Sequence, residues 1–126
     1  MNAYARILFS VAAAFNFLIA GAVLFARPAL LAMLELDPAT GTNLVFVTIT
    51  AAMIACFGYS YACIAYDAQK YRVYVSLGII GKLLVVGTVC WLWRSGAVSS
   101  RLPALASGDL IFAALFVDYL RRSRQL

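Results

Sequence analysis

Long apolar segments separated by short polar connections run through the whole chain. A helix that crosses a bilayer needs about 20 apolar residues, and four segments reach that length. They cover residues 7–26, 44–66, 73–93 and 104–120. The pattern therefore predicts an all-α, polytopic membrane protein, in which an antiparallel four-helix transmembrane bundle forms a single domain over residues 1–126.

The connections between these segments differ in character. Residues 67–72 form a tight polar turn, which favours antiparallel packing of the second and third segments. Residues 27–43 are more varied, with Pro28 suited to a first helical turn and Asp37-Pro38 suited to ending a helix. We expect a short interfacial helix after the first span, or a kinked extension of that span.

Composition agrees with a membrane protein. Hydrophobic residues make up 65% of the 126 positions and charged residues 12%, whereas soluble domains contain roughly 45–50% apolar residues. Four spans leave no room for a soluble domain. A cleaved signal peptide is the alternative for the first segment, suggested by Arg6 and the alanines at 12–14, but apolar character continues to Ala26.

The net charge of +5 comes mainly from basic residues beside the spans, which favours lipid headgroups over nucleic acid as the partner. If both termini are cytoplasmic, the inner connections and ends carry Arg6, Lys70, Arg72, Arg121, Arg122 and Arg124. The outer connections then carry Arg27, Arg94 and Arg101. Because basic residues concentrate on the cytoplasmic side, the sequence predicts this orientation.

Lys82 stands in the middle of the apolar segment "GIIGKLLVVG", residues 78–87. It follows Arg72 by ten residues and precedes Trp93 by eleven, which places it ~15 Å from either interface at helical rise. A lysine at this depth cannot reach water and costs ~2.5–3.5 kcal/mol, so it normally faces the bundle interior and has a polar partner.

Asp109, on the next segment, is the expected partner of Lys82. The axial offset between them is ~6 Å, but side chains tilt toward the start of their helix, which points the two groups apart. A water bridge therefore remains open, as does a neutral Lys82 amine bonded to a group at its own depth. Asn16 and Tyr59 are the candidates for that group.

Each span thus supplies one polar residue to a common middle layer: Asn16, Tyr59, Lys82 and Asp109. Small residues at helical spacing predict that Asn16 and Tyr59 face inward, and around Tyr59 they are Ala52, Ala55, Cys56, Ala62 and Cys63. The layer either fixes helix register as a buried polar network or lines a possible ligand pocket. A third interpretation pairs a charge with another protein chain.

Other polar residues receive simpler interpretations. Glu35 and Asp37 are two carboxylates without a third ligand, so we expect solvated charges and no metal site. Asp118 lies within a turn of Arg121 and Arg122, which predicts an ion pair at headgroup level. The single cysteines are expected to act as small packing residues. No catalytic motif or cofactor-binding motif is evident, so we predict neither an enzyme nor a cofactor.

The chain resembles small bacterial inner-membrane proteins of the DoxX-like type, a group without a settled activity. The resemblance rests on Asn16 in the first span and on "FGYSYACIAYD", "GIIGKLL" and "GDLIFAALFVDYL" in the other three. It implies a four-helix bundle in the bacterial inner membrane. Small multidrug resistance transporters have a similar size, but they depend on a glutamate in the first span, where this chain has Asn16.

The sequence supports two hypotheses for function. The first is an accessory or scaffold-like bundle without catalytic machinery, which stands alone or packs against a membrane protein partner. The alternative is a small-molecule binder or proton-linked transporter that uses Lys82 and Asp109. Since four helices make a poor pore, transport would require a homo-oligomer.

Overall fold

The structure, a computed structural model, describes residues 2–124, and they are all-helical apart from the connections. Five helices occur in this range: α1 (Asn2–Phe25), α2 (Arg27–Met33), α3 (Thr42–Tyr66), α4 (Arg72–Arg94) and α5 (Arg101–Ser123). The four long helices are long and apolar enough to cross a membrane, which indicates a multi-pass membrane protein. The predicted domain also includes Met1, Gln125 and Leu126, which lie outside the described residues.

The long helices pack as two pairs. α1 lies against α3, forming the first pair, and α4 lies against α5, forming the second pair. Contacts between the pairs are less extensive and come mainly from α3 with α4, and from α1 with α5. The two pairs therefore pack tightly against each other in one part of the molecule and leave space between them in another.

The pairs close tightly at one end, here called the terminal end, where α1 and α4 begin and α3 and α5 finish. Phe9 and Phe116 are fully buried there, with ring centroids 4.7 Å apart. Tyr61 meets Phe116 edge-on at 5.2 Å, and Tyr119 meets Phe9 edge-on at 5.4 Å. Offset and edge-to-face contacts between rings stabilise such a core beyond simple contact area.

Glycine permits the close approach of α4 to α3. A Cβ atom at Gly78 would lie 2.7 Å from Cε1 of Tyr61, closer than side chains tolerate. Gly87 lies about two and a half turns further along α4, and a Cβ atom there would have no atom within 4 Å. Gly78 therefore lies where α4 packs against α3, whereas Gly87, half a turn out of phase with it, lies on the opposite, open face of α4.

α2 is a separate short helix, as the sequence predicted for the connection after the first span. Ala26, with φ of −132°, interrupts the helix between α1 and α2. α2 ends with the amide of Leu36 donating to Leu31 and the amide of Glu35 donating to Ala32. Glu35 itself has φ of +57°, the left-handed position that glycine usually occupies in this helix-ending motif.

α2 is fastened to the start of α5 by one arginine. The Arg101 guanidinium lies 2.8 Å from a Glu35 carboxylate oxygen and donates a 2.9 Å hydrogen bond to the carbonyl of Met33. Leu31 and Leu34 are buried on the opposite side of α2. The end of the molecule that contains α2 and the α4–α5 connection is called the loop end.

Candidate binding site: a buried ion pair beside an apolar cleft

Lys82 and Asp109 form a direct ion pair between α4 and α5. The Lys82 Nζ atom lies 2.6 Å from Oδ1 of Asp109. Contact is direct despite the axial offset expected from the sequence, because the long lysine side chain covers that offset. The charges are therefore neutralised within the second pair.

Asn16 connects this ion pair to the first pair of helices. Its Oδ1 atom lies 3.5 Å from Lys82 Nζ, at the outer limit of a hydrogen bond, and its Nδ2 donates to the carbonyl of Ile54 at 3.1 Å. Gly58, buried on α3, allows the approach, since a Cβ there would lie 3.2 Å from Cβ of Asn16. A continuous polar chain thus runs from α3 through α1 and α4 to α5.

Three aromatic rings surround the ammonium group of Lys82. Its Nζ lies 5.6 Å from the ring centroid of Phe15, 5.3 Å from that of Tyr61 and 5.2 Å from that of Phe112. At these distances the negative ring faces attract a cation and partly compensate for its lost hydration. Phe15 comes directly before Asn16 in the sequence, and Phe112 lies three residues after Asp109 on the same helix face.

The structure does not bring Tyr59 into this layer, so its inclusion must be corrected. The side chain of Tyr59 is 66% exposed, whereas Tyr61 is 1% exposed and occupies the place expected for Tyr59. Residues two positions apart in a helix point about 200° away from each other, so only one of the two tyrosines faces inward. Tyr61 is the inward one because its ring packs on Gly78 and Phe116, contacts that a stripe of small residues does not provide.

Three of the five small residues around Tyr59 accordingly face outward, and Ala55 and Cys63 are half-buried. The buried side of α3 consists of Ala51, Gly58, Tyr61 and Ile64, while Ala52, Cys56 and Ala62 are exposed. The comparable stripe around Asn16, with Ala12, Ala13 and Ala20, is buried. Cys56 and Cys90 are exposed and Cys63 is half-buried, so an interior packing role within this chain is wrong for Cys56 and Cys90.

The remaining polar residues lie away from the layer. Asp118 pairs with Arg122 at 3.0 Å and accepts a 3.4 Å hydrogen bond from the Tyr4 hydroxyl. Glu35 pairs with Arg101, although Asp37 is simply exposed. Across residues 2–124, the structure contains no cluster of three side chains suited to holding a metal ion.

Two adjoining cavities lie between the pairs on the loop-end side of the ring core, and together they are called the cleft. The inner cavity, about 310 Å³, is lined by Lys82, Asp109, Asn16 and Tyr61 among mostly apolar side chains. The outer cavity, about 350 Å³, lies beneath the leucines of α2. Six residues line both cavities: Ile19, Thr50, Ile54, Val85, Leu105 and Asp109.

The cleft opens to the outside between α3 and α4. Ile49, Met53 and Val85 line it, and each of these side chains is about half exposed. Its wall is apolar apart from Thr50 and the polar residues at the ion pair. The arrangement therefore presents a charged carboxylate at the side of an apolar space that is open to the surroundings of the helices.

Comparison of the chain with protein-family models, with curated proteins and with solved structures finds no match. A function for the protein must therefore be inferred from the geometry of the site.

Proposed function

We propose that this chain is a bacterial inner-membrane protein whose four long helices cross the bilayer as an antiparallel bundle, with both termini cytoplasmic. Contacts between the beginning of α1 and the end of α5, such as Phe9 with Phe116, support the antiparallel order. The excess of basic residues in the terminal-end connections supports the orientation. In this arrangement α2 lies at the outer interface, and the DoxX-like resemblance stays a prediction.

We propose further that the protein has no catalytic machinery and binds a small apolar molecule in the cleft, with a polar group of that molecule at the Lys82–Asp109 pair. The observation that carries this proposal is the position of the ion pair at the wall of an open apolar cleft. Ligand sites are typically apolar concavities of about 300–1,000 Å³ with a few convergent polar groups, and the inner cavity matches that description.

A purely structural role for the ion pair predicts a different degree of burial for its two charges. If the pair served only to fix helix register, neighbouring side chains would enclose both charges. Asp109 instead remains 20% exposed and lines both cavities. Accessibility of one partner supports binding over a register-fixing role alone.

An accessory bundle that assembles with a second copy or with another membrane protein is the second candidate. It is favoured by the exposed small residues of α3, namely Ala52, Cys56 and Ala62, because small faces let membrane helices approach closely. Proton-linked transport through the Lys82–Asp109 pair would also need such an oligomer. A variant that keeps only Cys56 tests this, since oxidation yields a disulfide-linked dimer if these faces meet.

Binding in the cleft is tested by filling it. Val85 lines both cavities and is half exposed, so Val85→Trp places a large ring in the opening without disturbing the ring core. Leu84→Trp is the matched control, because Leu84 is exposed on the same helix and lines neither cavity. The probes are n-octylamine, n-octanol and n-octanoate.

Each protein is placed in nanodiscs of zwitterionic lipid, and bound probe is counted by native mass spectrometry. We expect at least one probe to bind the wild type and Leu84→Trp with one-to-one stoichiometry, and to bind Val85→Trp at least tenfold more weakly. Absence of binding by all three probes, or equal binding by both tryptophan variants, would contradict a ligand site in the cleft.

A further inference from the structure

The two charges of the ion pair are not equally accessible from the cleft. Lys82 is 4% exposed and lines only the inner cavity, whereas Asp109 is 20% exposed and lines both cavities. The Lys82 ammonium group already donates to Asp109 Oδ1 and Asn16 and lies among three aromatic rings. A molecule in the cleft can therefore contact Asp109 from either cavity, but Lys82 only from the inner one.

Asp109 also retains an oxygen for a further donor. Lys82 bonds to Oδ1, and within residues 2–124 no hydrogen bond reaches Oδ2. In the described structure, every fully buried side-chain oxygen has a hydrogen-bond partner. Because Oδ2 has no partner among the described residues, it is not fully buried. It is accessible, and an ionised carboxylate accepts hydrogen bonds and does not donate them.

We propose that the cleft binds a lipophilic amine, with the ammonium N–H donating to Oδ2 of Asp109 and the apolar part lying against the cleft wall. This inference rests on the proposed function and names the ligand class for the same site. Asp109 is the binding residue. The Lys82 ammonium group stays bonded to Oδ1 of Asp109, so it repels the ligand's ammonium group and competes with it for the carboxylate.

The surroundings of the pair disfavour other ligand classes. An anion beside Lys82 in the inner cavity would also lie close to the Asp109 carboxylate, which already pairs with the ammonium group and repels a second negative charge. A neutral alcohol can also donate to Oδ2, but it lacks the Coulomb attraction between an ammonium group and the carboxylate.

The test compares the three octyl probes, which share one chain and differ only in the head group. In wild-type protein in zwitterionic nanodiscs, we expect n-octylamine to bind about tenfold more tightly than n-octanol, because only the amine adds Coulomb attraction to the hydrogen bond. Octanoate should bind more weakly still. Val85→Trp should remove amine binding, which separates occupancy of the cleft from partitioning into the lipid.

Two substitutions should move amine affinity in opposite directions. Asp109→Asn removes the charge that the amine binds, so amine and alcohol should then bind within about threefold of each other. Lys82→Met removes the competing cation, so amine affinity should rise above that of the wild type. Thermal unfolding of each variant verifies that it is folded, and if Asp109→Asn does not fold, the wild-type probes and Lys82→Met decide the result.

The outcomes separate this inference from the proposed function. If octanol or octanoate binds as tightly as the amine, the amine class is overturned. If that binding is also lost in Val85→Trp, the ligand site in the cleft still stands. Lower amine affinity in Lys82→Met also overturns the amine class, since it would make Lys82 a ligand contact. Failure of every probe to bind the wild type overturns both proposals.

Discussion

The terminal end and the loop end are the two ends of the same four long helices, yet the helix pairs close tightly at only one of them. Large rings, including Phe9, Tyr61 and Phe116, interlock at the terminal end, with Gly78 providing space for the Tyr61 ring. At the loop end the facing residues are mostly aliphatic, and the cleft remains between them. Outside water, helices associate through packing and hydrogen bonds, so the shapes of the facing residues largely decide where the pairs meet.

The polar layer lies at the boundary between these two regions. Lys82 contacts the ring of Tyr61, which belongs to the closed core, and Asp109 faces the open cleft. The closed end therefore provides a rigid support for the charge that the open end exposes. Preorganised support of this kind is what a binding site needs.

The largest predicted effect lies in the ring core. Phe116→Ala removes contacts with Phe9, Tyr61 and Phe112 and leaves a cavity, so we expect a loss of about 3–5 kcal/mol in the free energy of unfolding. Phe25→Ala is the control, because Phe25 is 89% exposed and its loss should change stability by under about 0.5 kcal/mol. Reversible unfolding in mixed micelles measures both, and equal losses would show that the terminal end is not the stabilising region.

The ion pair should produce the next largest effect. Asp109→Asn leaves the buried Lys82 without its counter-charge and should cost about 3 kcal/mol, while Lys82→Met strands the more accessible Asp109 and should cost less. The double variant should recover much of the loss. Stability is again measured by unfolding in micelles. A double variant as unstable as the sum of the single ones would mean that the two side chains do not stabilise each other.

Two glycines on opposite faces of α4 compare a packed position with an open one. Gly78→Ala forces a Cβ against the Tyr61 ring and should destabilise the protein by about 1–3 kcal/mol. Gly87→Ala meets nothing and should stabilise the helix by roughly 0.5–1 kcal/mol, since alanine restricts the unfolded chain. Thermal unfolding measures the sign of each change, and a stabilising alanine at position 78 would contradict the close approach of α3 and α4.

The smallest effect should come from the contact between α2 and α5. Arg101→Gln removes an exposed ion pair with Glu35 and a hydrogen bond to Met33, so global stability should fall by under about 1 kcal/mol. Hydrogen exchange should nevertheless accelerate at the amides of α2, because its fastening is lost. Unchanged exchange in α2 would show that burial of Leu31 and Leu34 alone holds this helix in place.

The sequence predicted the helical elements more fully than it predicted their faces. Apolar length identifies four spanning segments because hydrocarbon thickness imposes it, and Pro28 with Asp37-Pro38 predicts a short additional helix. Pairing of Lys82 with Asp109 could also be predicted, since a charge at mid-depth requires a partner and few candidates exist. These inferences depend on the membrane and on charge, both of which are visible in the sequence.

The faces of α3 could not be assigned in this way. Both Tyr59 and Tyr61 lie in a segment that is apolar all round, so hydrophobic periodicity does not distinguish the two sides. Shape distinguishes them instead, because the Tyr61 ring fits over Gly78 on another helix. The rings of Phe15 and Phe112 around Lys82 were missed for the same reason, although the spacing of Phe112 from Asp109 places it on the polar face of α5.

Lys82 and Asp109 belong to the same pair of consecutive helices, which bears on biogenesis in a bilayer. α4 and α5 bring a cation and its anion into the hydrocarbon together, so insertion of the second pair does not expose a lone charge, which would cost about 2.5–3.5 kcal/mol at mid-depth. Asn16 and the aromatic rings of α1 and α3 then join a site that is already neutral. The two halves of the chain can thus be delivered to the membrane independently and assembled afterwards.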